Sequence, residues 1–94
     1  MLKLLVKSTI KPGCLEKATL LYKELVEETL KEKGCIEYCL YVDTKDDHVC
    51  YLIETWESEE DLEAHKVSEH VSRIVPLLGE CRVDKPEVIF LKKL

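Results

Sequence analysis

Two histidines, a mid-chain glutamate and the only tryptophan are the residues whose types and spacing could do chemistry. Glu54 and Trp56 are two apart in an alternating run from His48 to Trp56, so they share one face of an extended strand with Leu52. His65 follows Leu62 by three residues in a helical stretch, which turns its ring towards the sheet with that helix's apolar side. An imidazole so placed is a general base for a phenol or an enol, because imidazoles as a class exchange protons near working pH. The plainer alternative is a buried histidine satisfied by one hydrogen bond. Glu54 could relay a proton from a buried site, or pair with a cation such as Arg82. Trp56 offers a flat wall for an aromatic substrate, and is equally the largest core residue available. His70 falls just inside a second short helix, where it could reach the mouth of a pocket or merely contact the Ser68 cap. The expectation is therefore catalysis by His65 and Glu54, with substrate contacts from Trp56, His70, Leu52 and Leu62.

Other chemistries find no support. No glycine-rich phosphate cradle of the dinucleotide-binding or P-loop spacing occurs, and neither does a His-Glu-x-x-His pair. His65 and His70, five apart, would stand roughly 140° from one another on a single helix, which suits them poorly to share a metal. No metal and no cofactor are expected. The five cysteines, Cys14, Cys35, Cys39, Cys50 and Cys81, form no Cys-x-x-Cys pair. Cys35 and Cys39 fall in one strand with their Cα atoms roughly 13 Å apart, too far for a disulfide. All five read as reduced small hydrophobes.

The elements that must position these residues follow from periodicity. Residues 2–10 alternate as a strand, with Leu2, Leu4, Val6 and Ile10 on one face, and Lys11-Pro12-Gly13 breaks it. A helix of about five turns follows, with an apolar stripe of Leu15, Ala18, Tyr22, Leu25 and Thr29, stopped at Gly34. Residues 35–43 and 48–56 make a hairpin across Lys45-Asp46-Asp47, with Ile36, Tyr38, Leu40 and Val42 on one side of its first strand. Both strands are apolar on both faces, so both faces need cover, and a second subunit is the simplest cover for the one that helices leave open. Ser58 and Ser68 can each cap a short helix, the second curtailed by Pro76 and Gly79, and a last strand lies within 81–92. The order β-α-β-β-α-β is the ferredoxin-like, or split βαβ, arrangement in one α+β domain spanning 1–94.

Ordered along that frame, Gly34-Cys35-x-x-Tyr38, Asp43, Glu54-x-Trp56-Glu57-Ser58 and Leu62-Glu63-Ala64-His65-x-x-Ser68-x-His70 resemble the antibiotic biosynthesis monooxygenase domain. The Lys11-Pro12-Gly13 turn resembles its quinol-monooxygenase-like and autoinducer-processing branches. The resemblance implies a dimeric α/β barrel, two sheets packed face to face, with a pocket between sheet and helices in each subunit. It also implies oxygenation without metal or flavin, or isomerisation of a small oxidised metabolite. Haem-degrading relatives carry a tryptophan where His65 stands and a histidine where Val75 stands, which sets that branch aside.

Composition narrows the partners. The net charge is −5, from 14 basic and 19 acidic residues mixed along the chain, so no basic stripe invites nucleic acid. No apolar run approaches the roughly 20 residues of a membrane span. The amino-terminal segment reads as a strand and not as a signal peptide, pointing to the cytoplasm. Hydrophobic residues make up 46% of a chain too small to bury them well alone, which fits a homodimer. Three functions compete: oxygenation of a small quinol or polyphenol-like aromatic without a cofactor, isomerisation of a small oxygenated metabolite, and small-molecule binding by a non-enzymatic dimer.

Overall fold

Alternation and caps decide the architecture. The computed structural model describes all 94 residues. The elements run β1 (Leu2–Thr9), α1 (Leu15–Thr29), β2 (Cys35–Val42), β3 (Val49–Trp56), α2 (Glu59–Lys66), α3 (Glu69–Cys81) and β4 (Glu87–Leu91). The four strands form one antiparallel sheet in the order β2-β3-β1-β4, the ferredoxin-like topology that the sequence predicts. α1 spans 15 residues, a turn shorter than the stripe suggests, because the chain leaves helical geometry after Leu30 to turn through Gly34.

One face of the sheet carries the helices. Leu4, Leu52 and Trp56 are buried beneath them, as are Ala18, Tyr22 and Leu25 of α1 and Ile74 and Leu78 of α3. Removing about 25 cal/mol per Å² of apolar surface from water is what holds these layers together. The opposite face carries Leu5, Cys39, Tyr51, Ile53 and Ile89, none of them buried. β4 is exposed along its whole length.

Two local expectations are corrected. Pro76 and Gly79 do not end the last helix: α3 continues through both to Cys81. Pro76 faces solvent, so the backbone bond it forfeits lies on the wet side, while Ile74, Leu78 and Cys81 bury the other side of the same helix. Ile36 is 49% exposed and not on the buried face, because the β2–β3 register slips between Cys35 and Glu37 and leaves it as the extra residue of a bulge.

Candidate active site

The site begins in the turn after α1. Gly34 has φ +81°, the left-handed region that glycine enters freely, and its carbonyl accepts the Glu57 N–H at 2.8 Å. That bond ties the turn to the start of α2. There, Ser58 Oγ caps the helix by accepting the Asp61 N–H at 3.2 Å, and its hydroxyl donates to the Asp61 carboxylate at 2.9 Å. A methyl group at Gly34 would overlap the Asp61 side chain. The turn is therefore held against α2 with no spare room, and it carries Glu32.

The second junction brings the histidines together. Ser68 caps α3 by accepting the Val71 N–H at 3.4 Å, while its hydroxyl donates to the His65 carbonyl at 2.7 Å. The last turn of α2 and the first turn of α3 are thus joined through one side chain. His65 and His70 belong to different helices, so their separation on a single helix does not apply. Instead both rings reach Glu32: His65 Nδ1 lies 2.6 Å from Oε2 and His70 Nε2 lies 2.7 Å from the same oxygen. An ionised carboxylate only accepts, so each of these nitrogens carries the proton. That leaves Nε2 of His65 with no protein partner.

These three residues are also the donor set of a divalent transition metal, with ligand atoms within 4.8 Å of one another. Ligands about 2.1 Å from one ion stand roughly 3 Å or more apart, so the contacts to Glu32 are those of hydrogen bonds, and a metal would have to spread them.

Beneath His65, Trp56 packs with its ring tilted by 41° at 4.7 Å between centroids, and Tyr38 meets the imidazole edge-on at 5.4 Å. Trp56 donates its indole N–H to Glu54 Oε1 at 3.0 Å. Burial pushes the Glu54 carboxyl above its ordinary pKa, and the indole hydrogen bond and His65 only partly offset it.

A cavity of about 370 Å³ opens between sheet and helices, 11 of its 16 lining residues hydrophobic. Leu52, Glu54, Leu62 and His65 line it. Trp56 and His70 do not. Trp56 is fully buried under His65 as its support, and His70 stands on the far side of Glu32. Glu54 bonds to Trp56 and makes no ion pair with Arg82. Val88 and Phe90 of β4 complete the wall. Sequence reasoning missed Glu32, which stands in a charged loop 33 residues from His65 and carries no periodic signal. It also gave Lys66 no place in the cavity, and weighed Arg82 only as a partner for Glu54.

The family model for antibiotic biosynthesis monooxygenase matches residues 1–77. The chain belongs to the antibiotic biosynthesis monooxygenase family. It is similar to a crystal structure of an antibiotic biosynthesis monooxygenase at 35% identity and TM-score 0.96, covering 100% of this chain and 99% of that one. A conserved protein from Methanosarcina mazei Go1 is similar at 34% identity and TM-score 0.94, over 99% of this chain and 92% of that chain. A Pseudomonas aeruginosa protein follows at 30% identity and TM-score 0.91, over 99% and 93%. No curated protein matches the chain. Glu32, Glu54, His65 and His70 all fall inside the segment matched to the antibiotic biosynthesis monooxygenase model, whereas Arg82 and β4 lie beyond it.

Proposed function

We propose that this protein is a cofactor-independent monooxygenase of a small quinol-type aromatic. The observation that carries the reading is the His65–Glu32 contact at 2.6 Å, which fixes the tautomer of a cavity-lining imidazole and leaves its Nε2 free to take a proton. The substrate hydroxyl gives its proton to Nε2, and the resulting anion is the electron source for O₂. For a hydroquinone the balance is quinol plus O₂ giving hydroxyquinone plus water, with one oxygen atom in each product. Leu4, Val6, Leu52 and Leu62 keep the reacting ring dry, and Glu54, held towards its protonated form, returns a proton to the departing oxygen.

The same pairing of a base with a buried acid in one cavity favours a second reading, isomerisation of a small oxygenated metabolite. The two separate cleanly. A panel of chemically reduced quinols, mixed with enzyme in air and under argon, should give hydroxylated product and oxygen uptake only in air. Equal conversion under argon would establish the isomerase, and no conversion in either gas would leave a binding protein.

The reading includes a homodimer. What supports it is the uncovered face of the sheet, with Leu5, Cys39, Ile53 and Ile89 at its centre and no helix over them. A second copy laid on this face would cover it with a surface of the same composition. Five unpaired cysteines fit a reducing, cytoplasmic setting.

A further inference from the structure

We infer that Arg82 anchors a carboxylate on the substrate, so that the cavity prefers an aromatic acid to a neutral quinol. This rests on the reading of the cavity as a substrate site. Arg82 is fixed at its backbone: it pairs with Ile10 as an isolated bridge, its N–H donates to Gly79 at 3.4 Å, and the next residue, Val83, donates to Thr9 at 2.9 Å. Its side chain lines the same cavity as His65 and Glu54, yet it makes no ion pair, and its Nε is buried without any acceptor. The one carboxylate on the cavity wall, Glu54, bonds elsewhere. A guanidinium on a cavity wall beside the Tyr22 hydroxyl and without a carboxylate partner is costly to bury, and an anion in the cavity is the partner its exposed nitrogens can take.

The charge around the cavity points the same way. Lys66 and Arg82 are both on its wall, opposed only by Glu54, in a chain whose net charge is −5. Register places the two polar ends apart. Glu54 opposes Leu4 on β1, Leu52 opposes Val6, and Arg82 joins at Ile10, six residues or about 20 Å further along the backbone. The arginine side chain reaches back over part of that span, leaving the apolar layer of Val6, Leu52 and Val88 between it and His65. An aromatic ring fits that layer, with the hydroxyl that loses its proton at one end and the anion at the other. A guanidinium presents a planar fork that matches a carboxylate through two parallel hydrogen bonds.

The test is calorimetric titration of two redox-inert probes at pH 7, 2-naphthol and 6-hydroxy-2-naphthoic acid. The acid should bind the native protein about ten- to a hundredfold more tightly than the naphthol. Arg82→Gln should erase that preference, the acid and the naphthol binding the variant about equally, and Arg82→Lys should keep only part of it. Equal affinities in the native protein, or a preference that survives Arg82→Gln, would overturn the anchor. Should Arg82→Gln fail to fold, Arg82→Lys decides, since loss of the fork should cut the preference at least about threefold. Binding is measured without turnover, so the two proposals fail separately. An Arg82-dependent acid preference with no oxygen uptake on any quinol retires the oxygenase alone. Oxygen uptake with no acid preference retires the anchor alone.

Discussion

His65 and Glu32, 33 residues apart in the chain, meet through a 2.6 Å contact between Nδ1 and Oε2. The contact is built by two junctions that have nothing else in common, a glycine turn after α1 and a serine shared between α2 and α3. It fixes the orientation and the Nδ1 hydrogen-bond partner of an imidazole on the cavity wall.

Replacing Glu32 by Gln tests that pairing. The amide can offer its N–H to Nδ1, which moves the ring proton to Nε2 and removes the base. Turnover should fall by about ten- to a hundredfold, as it does when a metal-bound histidine loses the group that orients it. His65→Ala should lose about 10²–10⁴-fold. His70→Gln, behind Glu32 and off the cavity, should lose less than about threefold. Steady-state rates for the three variants, each checked for folding by circular dichroism, give the order; a His70 effect as large as that of His65 would place the chemistry elsewhere.

Glu54 carries a pH signature in stability. Burial raises its folded pKa above the ordinary 4.5, with the Trp56 hydrogen bond opposing. A carboxyl raised on folding favours the protonated native state, so its contribution is fully present below about 4.5 and is lost as pH rises through the folded value. Glu54→Gln keeps an acceptor for the indole and removes the charge. Its Tm should exceed that of the native protein at pH 7–8, by about 4–8 °C for each kcal/mol recovered, and the difference should vanish near pH 4. Thermal melts across that range decide, and a constant offset would mean that burial does not raise the pKa of this carboxyl.

Periodicity made the sheet, the three helices and their order legible, because strand alternation and helical stripes are local. Leu52, Glu54, Leu62 and His65 could be placed on one cavity by the same means, since each face is set by neighbours two to four residues away. Glu32 could not. It lies in a turn with no pattern of its own, and its meaning comes from two helix ends that converge only in space. Trp56 was misplaced as a wall for a related reason: alternation gives its face, but not that His65 covers it. Pro76 misled because a local breaker was weighed without the burial of Ile74 and Leu78 that outweighs it.

The uncovered sheet face predicts the assembly. Sedimentation should give a mass near twice the 10.9 kDa of one chain at micromolar concentration. Ile53→Lys puts a charge at the centre of that face, where an interface would desolvate it, and should yield a folded monomer. A native protein that sediments as a monomer would remove the dimer from the proposal and leave the outer face for another partner.

Gly34 sets how closely the Glu32 turn can approach α2. Two glycines of this chain have similarly positive φ, +84° at Gly13 and +81° at Gly34, so alanine meets the same backbone strain at either. That strain is worth roughly 1–2 kcal/mol. At Gly13 nothing lies within 4 Å of the added methyl, whereas at Gly34 it would fall 2.6 Å from Asp61 Cβ and closer still to the carboxylate. Gly13→Ala should therefore show the conformational penalty alone. Gly34→Ala should lose more, about 2–4 kcal/mol in all, and should also cut turnover by drawing Glu32 away from His65. Denaturant melts of the two single variants measure the difference. Adding Asp61→Gly should then cost the Gly34→Ala protein less than it costs the native protein, because the Cβ and the carboxylate that obstruct the methyl are both gone while the Ser58 hydroxyl still accepts the residue-61 N–H. Equal losses for Gly13→Ala and Gly34→Ala would show that the turn can relax away from Asp61, and that the approach of Glu32 to His65 is set at the Ser68 junction instead.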